Sequence, residues 1–292
     1  MSATKPDFFI SRLGIVGVGL IGGSLARALK EAGAVGEVVG FGRDPAHLKK
    51  ARELNVIDVA ADSLARLASC DVIVLAVPVL SMHELLEALA PVLVRQTVVT
   101  DVGSVKGNVA DAARKSLGAR VSHFVPAHPI AGTERSGVEA SFAELYRGRK
   151  VVLTPLPETD QAAVELVRGM WRATGAEVLD MSVARHDEIF ALTSHLPHVL
   201  AYALVELLAR RDGDLFQFAA SGFRDFTRIA SSDPYMWRDI CLANRDPLLV
   251  AIEQYEDRLA ALKDAVARAD AEFLNDFFVR AKRARDVFGD KS

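Results

Sequence analysis

Residues 13–24 read Leu13-Gly14-Ile15-Val16-Gly17-Val18-Gly19-Leu20-Ile21-Gly22-Gly23-Ser24. A short apolar run, Leu13–Val16, enters a turn with glycine at Gly17, Gly19 and Gly22, and a helix-forming segment, Ser24–Lys30, follows. Strand, glycine turn, helix is the setting in which G-x-G-x-x-G binds a dinucleotide. There the first glycine permits the tight turn, the second lets backbone approach a pyrophosphate, and the third allows close helix–strand packing. The free N–H groups at the helix start face the phosphates, where the helix dipole favours negative charge. Leu20 and Ile21 inside the motif, and Val77 at the end of another apolar run, join the three glycines as cofactor-binding candidates. The competing reading is a tight turn with no ligand.

The chain around this motif repeats its pattern. Apolar, β-branched runs recur at Val38–Phe41, Val72–Val77, Thr97–Thr100 and Val151–Thr154. Helix-length segments, Pro45–Leu54, Leu80–Leu89 and Val105–Leu117, lie between the earlier ones. Strands alternating with helices predict a doubly wound, mostly parallel α/β sheet covered on both faces. Glycine marks a boundary, since 17 of the 20 glycines fall in residues 1–180. Beyond Met181 the stretches Ala184–Ala209 and Pro247–Phe288 suit long amphipathic helices. The expected organisation is a dinucleotide-binding α/β domain over 1–180 and an all-helical domain over 181–292, joined near 178–184. A helical half this rich in Leu, Ala and Phe favours a homodimer through that domain.

Composition narrows the function. Of 292 residues, half are hydrophobic and a quarter charged, with a net charge of -3. That balance suits a soluble globular protein and gives no global basic field for nucleic acid. Two cysteines, Cys70 and Cys241, are too few for a disulfide framework. The apolar stretches, such as Val72 to Leu80, read as shorter than the ~20 residues of a membrane helix, and residues 1–10 carry no signal-peptide run. The expectation is a cytoplasmic protein with no membrane or nucleic-acid partner.

The end of the second strand bears on the cofactor. An NAD-binding protein usually places Asp or Glu about 20 residues beyond the glycines, on the ribose hydroxyls. Here Glu37-Val38-Val39-Gly40-Phe41 is followed by Gly42 and Arg43. Glycine leaves room for a 2′-phosphate and arginine can pair with it, which favours NADP over NAD. The alternatives are that Asp44 supplies the carboxylate one place late, or that Arg43 stacks on adenine.

Three clusters carry chemistry-bearing side chains. Thr100-Asp101-Val102-Gly103-Ser104-Val105-Lys106 and His128-Pro129-Ile130-Ala131-Gly132-Thr133-Glu134 both follow strand ends, where open α/β sheets bind ligands. Ser104 and His128 could share one substrate hydroxyl there. In the helical part, Arg224 and Arg228 are i,i+4 and suit a carboxylate-bearing ligand, although pairing with Asp225 would also account for them. His195 and His198 have no third ligand of suitable spacing, so no metal is expected.

Six stretches together resemble the prephenate dehydrogenase family, which includes arogenate and cyclohexadienyl dehydrogenases. They are GVGLIGGS at 17–24, TDVGSVK at 100–106, HPIAGTE at 128–134, SHLPH at 194–198, GFRDFTRIASSDP at 222–234 and MWRD at 236–239. The resemblance spans almost the whole chain. It implies a Rossmann domain with a helical dimerisation domain. The implied reaction is oxidation and decarboxylation of prephenate to 4-hydroxyphenylpyruvate, or of arogenate to tyrosine, in tyrosine biosynthesis. It also implies that His128 accepts the ring-hydroxyl proton and that Ser104 binds that hydroxyl and the nicotinamide. Arg228 then binds a substrate carboxylate, and Arg224 stands where relatives often have lysine. Ser194, His198 and Thr133 match pocket positions, and Trp237 matches an aromatic closing the pocket near the dimer interface. Gly42 departs from the Asp of NAD-using relatives, and Glu134 could favour arogenate by pairing with its ammonium, or face solvent or cap a helix.

Two other readings fit parts of the sequence. A 6-phosphogluconate-type dehydrogenase would need a catalytic lysine in the helical domain, whose lysines, Lys263, Lys282 and Lys291, all sit near its end. A non-enzymatic NADP(H) sensor would explain Gly17–Gly22 and leave Ser104, His128 and Arg228 unexplained.

Overall fold

A computed structural model describes residues 8–94, 96–133, 135–211 and 213–289. Six parallel strands form one sheet: β1 (Ile10–Val16), β2 (Val35–Phe41), β3 (Val59–Ala60), β4 (Val72–Leu75), β5 (Val98–Asp101) and β6 (Phe124–Val125). Their spatial order is β3-β2-β1-β4-β5-β6, so the chain reverses direction across the sheet between β1 and β4. Ligands bind at such a switch point, beyond the carboxyl ends of the strands. Helices α1 (Leu20–Glu31), α2 (Pro45–Glu53), α3 (Met82–Leu89) and α4 (Gly107–Leu117) provide crossovers.

The apolar runs are continuous because both faces of this sheet are covered. Successive side chains point to opposite faces. Leu13, Ile15, Val38, Val72, Val74 and Val98 enter one core, whereas Val16, Val39, Ile73, Leu75 and Val99 enter the other. The expected α/β architecture is present, with strand ends moved by up to three residues.

One apolar run, Phe124–Ala127, divides at Pro126 between two sheets. Its first half is β6, and β7 (Ala127–Pro129) opens a second sheet with β8 (Lys150–Leu153) and β9 (Glu177–Asp180). β7 pairs antiparallel with β8, placing His128 opposite Val152. α5 (Gln161–Ala173) lies between β8 and β9 and sends Val164, Val167, Met170 and Trp171 into the first core.

The chain is helical beyond β9: α6 (Val183–Phe190), α7 (Leu196–Ala209), α8 (Ser221–Thr227), α9 (Pro234–Ala243), α10 (Arg245–Ala267) and α11 (Ala271–Gly289). A π turn, Ala191–His195, joins α6 to α7. Pro197 sits in the first turn of α7; it has no N–H, and its ring crowds the carbonyl four residues back, so the wider turn accommodates it. The expected run from Pro247 to Phe288 breaks at Ala269, whose φ is 52°, and Asp270 accepts from the Phe273 amide at 3.0 Å to start α11.

Residues up to Arg245 form one compact unit and those from Asp246 a second. The helices α6–α9, beyond the expected join near 178–184, pack in the first of these units. Trp237 and Ile240 of α9 bury in the second core there. Contrary to the expectation that no apolar stretch is long enough, Val183–Ala209 could span a membrane by length and composition. It nonetheless buries His186, Asp187 and His195 within the first unit.

Candidate active site

The glycine loop is shaped by contact. Gly17 has a φ of +93°, and a Cβ there would lie 2.2 Å from the Ala76 carbonyl oxygen and 3.1 Å from Val77 Cγ1. A Cβ on Gly22 would fall 2.4 Å from the Gly17 carbonyl oxygen and 2.8 Å from Ile15 Cγ2. These two positions admit only glycine. Around Gly19 a Cβ would meet nothing within 4 Å, so protein packing does not require glycine there and open space does the selecting. Gly19 caps α1 without a side-chain hydrogen bond, and first-turn amides of a helix have no intrahelical acceptors. Leu20 is buried and Ile21 half-buried beside it. The loop thus fits a pyrophosphate. At the end of β2, Gly42 would accept a Cβ at 3.7 Å from Leu48, ordinary contact. Asp44 caps α2, accepting from the Ala46 amide at 2.9 Å, and Arg43 is exposed.

At the ends of β5 and β7 a second framework holds His128. Asp101 and Lys106 are wholly buried and paired. Asp101 also accepts from the Gly103 and Ala127 amides at 2.8 and 3.2 Å, and Lys106 Nζ donates to the Ala127 carbonyl at 2.8 Å. Burial pulls the Lys106 ammonium below the usual lysine range, with Asp101 opposing it. The pair therefore clamps the residue preceding His128.

Asp187, from α6, binds the N-terminus of α4. Its two oxygens accept from the Lys106 and Gly107 amides at 2.8 and 2.7 Å, where the helix dipole favours an anion. Glycine at 107 makes room, because a Cβ there would be 2.9 Å from Asp187 Oδ2. Despite burial, these bonds and the bond to His186 hold the carboxyl below its usual range.

A chain of three side chains follows. His186 Nδ1 lies 2.7 Å from Asp187 Oδ1, and His186 Nε2 lies 2.9 Å from His128 Nδ1. An ionised carboxylate only accepts, so His186 carries its proton on Nδ1 and accepts at Nε2. His128 then donates from Nδ1, leaving the Nε2 lone pair open. His128 is held well below the ordinary histidine value, first by burial, then by the charges His186, Lys106 and His195 would present. Burial also lowers His186, with Asp187 opposing. Phe190 packs edge-on against His128 with ring centroids 4.8 Å apart. The arrangement presents a neutral, oriented imidazole base.

Ser104 lies in the loop between Asp101 and Lys106 and is half-buried. Ser194 and His195 occupy the π turn, and His198 follows in α7. His198 Nδ1 donates to the Ser194 carbonyl at 2.9 Å, and its ring stacks on Trp237 at 3.6 Å between centroids. Trp237 is 8% exposed, buried within its own chain. Burial and the nearby Arg228 charge lower His198. Arg224 is on α8 and Arg228 closes it with helical dihedrals, both exposed. Thr133 is exposed and accepts from the Arg135 amide at 3.2 Å. Glu134 lies outside the described residues.

The structure joins His128 to His186 and Asp187, and His198 to Trp237; it shows no hydrogen bond between Ser104 and His128 among the described residues. Sequence reasoning missed His186 and Asp187, and gave Asp101 and Lys106 no role. The available signal was weak, because His186 and Asp187 sit between Arg185 and Glu188 in a run of four polar residues that reads as a solvated helix face.

Two regions match families of known proteins. Residues 25–180 match the prephenate dehydrogenase nucleotide-binding domain, and residues 182–280 match the prephenate dehydrogenase dimerization domain. A cyclohexadienyl dehydrogenase of Zymomonas mobilis subsp. mobilis is 35% identical over 278 residues, covering 94% of each chain. A prephenate dehydrogenase from A. aeolicus, solved with hydroxyphenyl propionate and NAD+, superposes with a TM-score of 0.91 at 41% identity, over 96% of this chain and 99% of that one. An arogenate dehydrogenase from Synechocystis has a TM-score of 0.82 at 30% identity, over 95% and 99%. The glycine loop, the oriented histidine of β7 and the helical half thus stand in a known setting, and the chain belongs to the prephenate dehydrogenase family.

Proposed function

We propose that the protein is an NAD(P)-dependent dehydrogenase that oxidises and decarboxylates prephenate to 4-hydroxyphenylpyruvate, in tyrosine biosynthesis. The observation that carries this is the neutral His128, oriented through His186 and Asp187, in a chain of this family that also carries a loop shaped for a dinucleotide. A nicotinamide bound at Gly17, Gly19, Leu20, Ile21, Gly22 and Val77 supplies the acceptor for the two electrons and hydrogen leaving the ring C4. His128 Nε2 takes the proton of the C4 hydroxyl as that carbon is oxidised, with Ser104 orienting the hydroxyl. The C1–carboxylate bond then breaks to release carbon dioxide, its electron pair aromatises the ring, and the phenol oxygen regains a proton. Asp187 stabilises the chain electrostatically and keeps its own proton state.

Arg228, with Arg224, holds a substrate carboxylate, and Ser194, His198, Thr133 and Trp237 line the pocket. Arogenate, which differs by an amino group in place of the keto group, is the alternative substrate. At the cofactor's ribose, Gly42 and Arg43 favour NADP over NAD, and the capping bond of Asp44 supports that reading. A homodimer covers the apolar helical surface: only 22% of the most apolar window in Val183–Ala209 is buried in one chain, and Phe218 is 79% exposed. Sedimentation at twice the chain mass is expected. A soluble enzyme acting on a small biosynthetic metabolite belongs in the cytoplasm.

The test is one assay: cofactor reduction at 340 nm on adding prephenate or arogenate, with NAD+ or NADP+. Reduction with release of carbon dioxide supports the reading, and no reduction with either substrate overturns it.

A further inference from the structure

His195 is 1% exposed, and its two ring nitrogens are treated differently by the protein. Asn244 Nδ2 lies 2.9 Å from the Asp187 carbonyl oxygen and 2.9 Å from His195 Nδ1. A carbonyl only accepts, so the atom facing it is the amide nitrogen, and its second hydrogen goes to His195 Nδ1. His195 Nδ1 therefore accepts, and a neutral His195 carries its hydrogen on Nε2. Burial drives His195 down to about 4, which keeps it neutral. Nε2 is buried and has no hydrogen-bond partner among the described residues.

An unpaired buried donor is costly, and native proteins keep few of them. The surroundings of this one bear on its role. His195 belongs to the π turn, one helical turn before His198 and edge-on to Trp237, with ring centroids 6.1 Å apart. The Asp187 carbonyl that shares its Asn244 partner belongs to the residue that orients His186 and, through it, His128, and its ring neighbour Trp237 stacks on His198. His195 is thus held between the partners of the proposed base and those of the proposed pocket.

We infer that His195 is a substrate-binding residue whose Nε2–H donates to a carboxylate or carbonyl oxygen of the bound ring acid, with Asn244 fixing its tautomer. The hydroxyl end is already served by His128 and Ser104, which leaves the acid end for this donor. A neutral donor adds direction without adding charge against the departing carboxylate. The inference rests on the proposed function for the identity of the ligand, but its central claim, a donor awaiting an acid oxygen, can be read by binding alone.

The experiment uses the full chain labelled with 15N-histidine, with 4-hydroxyphenylpyruvate as the probe. At neutral pH one imidazole, absent from His195→Phe and from no other variant, should show the Nε2–H tautomer. Its resonance should shift on adding the probe and stay put with NAD+ or NADP+ alone. His195→Phe should raise the KM for prephenate about 3- to 10-fold, the span of one neutral hydrogen bond, with cofactor KM unchanged. His195→Gln, whose amide places a donor near Nε2, should recover most of that loss. A resonance that ignores the probe, or moves with cofactor alone, overturns the inference. So does a His195→Phe enzyme that melts earlier yet keeps its KM, which marks a core histidine satisfied by water. If the unmutated protein reduces no cofactor with prephenate, the proposed function falls, and the resonance still decides the role of His195.

Discussion

The two ends of the site are built differently. Around His128 the polar groups are buried and bonded in sequence: Asp187 to the α4 amides, His186 to Asp187, His128 to His186. At the other end Arg224 and Arg228 rise from α8, a seven-residue helix with no buried residue. The first end is rigid by construction, since a half-made network of buried groups would be costly. The second faces solvent, with both arginines exposed on and just beyond a short helix. On the proposed roles, the contrast puts the barrier at one end and affinity at the other, and mutations should separate the two.

The largest effect is expected at His128. His128→Asn should lower kcat by ~10²–10⁴-fold, the usual value of a positioned base, with cofactor affinity near normal; a change confined to KM would overturn the role. The pH dependence has a definite sign. His128 must be neutral to act, and its value lies below the ordinary 6.5, so kcat/KM should hold through pH 6.5 and fall only on the acid side. Stability follows the same window. A buried histidine with a depressed pKa binds fewer protons folded than unfolded, so its contribution is full above 6.5 and lost on acidification, for His195 down to about 4. Thermal melts across that range would show it.

Asp187→Asn comes next. An amide has one acceptor oxygen and one donor nitrogen, and it cannot receive the Lys106 and Gly107 amides and the His186 proton together. The nitrogen would turn His186 to the other tautomer and leave His128 misoriented. A kcat loss of roughly 10²-fold is expected, with a lower melting temperature from the disturbed α4 terminus. Unchanged kcat would mean that the carboxylate serves only to cap the helix.

Arg228→Ala tests the opposite end. An arginine–carboxylate bond is worth about 1.5–3 kcal/mol when desolvated, and exposure places Arg228 near the bottom of that span. The expected result is a substrate KM about tenfold higher with kcat nearly unchanged. A kcat loss equal to that of His128→Asn would dissolve the distinction between the two ends.

The same contrast explains what could be read before the structure. The α/β half was legible because a sheet covered on both faces leaves continuous apolar runs, and because Gly17 and Gly22 are forced by contacts a few residues away. Ser104 and His128 stood out at strand ends for the same local reason. Lys106 was hidden, since a lysine in a loop reads as solvated until Asp101 and Ala127 are seen around it. His186 and Asp187 were hidden because their partners lie 58 and 81 residues away. The split of Phe124–Ala127 at Pro126 also depended on β8, a distant strand that pairs with Ala127 and the two residues after it. Periodicity reports a segment's own surface, and these features belong to pairs of distant segments.

The smallest effect is expected at the cofactor's ribose, where the two halves of the dinucleotide loop differ as the two ends of the site do. Gly17 and Gly22 are glycine by steric necessity, whereas a side chain at Gly42 would make only ordinary contact with Leu48. Glycine at 42 is therefore free to vary with the ligand. Asp44 is held as the cap of α2 by the Ala46 amide, which leaves Arg43 as the charged group next to the open position. A 2′-phosphate there would be solvated on one side, so its arginine pair should contribute at the low end of about 1.5–3 kcal/mol, roughly tenfold in affinity. The expected order is higher kcat/KM with NADP than with NAD. Arg43→Ala should remove most of the difference, and Gly42→Asp with Arg43→Ala should reverse it by restoring a carboxylate that accepts from the ribose diol and repels phosphate. The fold should tolerate both changes, with melting temperatures within a few degrees. An unmodified enzyme that prefers NAD would show that Arg43 meets adenine rather than phosphate, and Asp44→Ala would then be the variant whose NAD affinity falls.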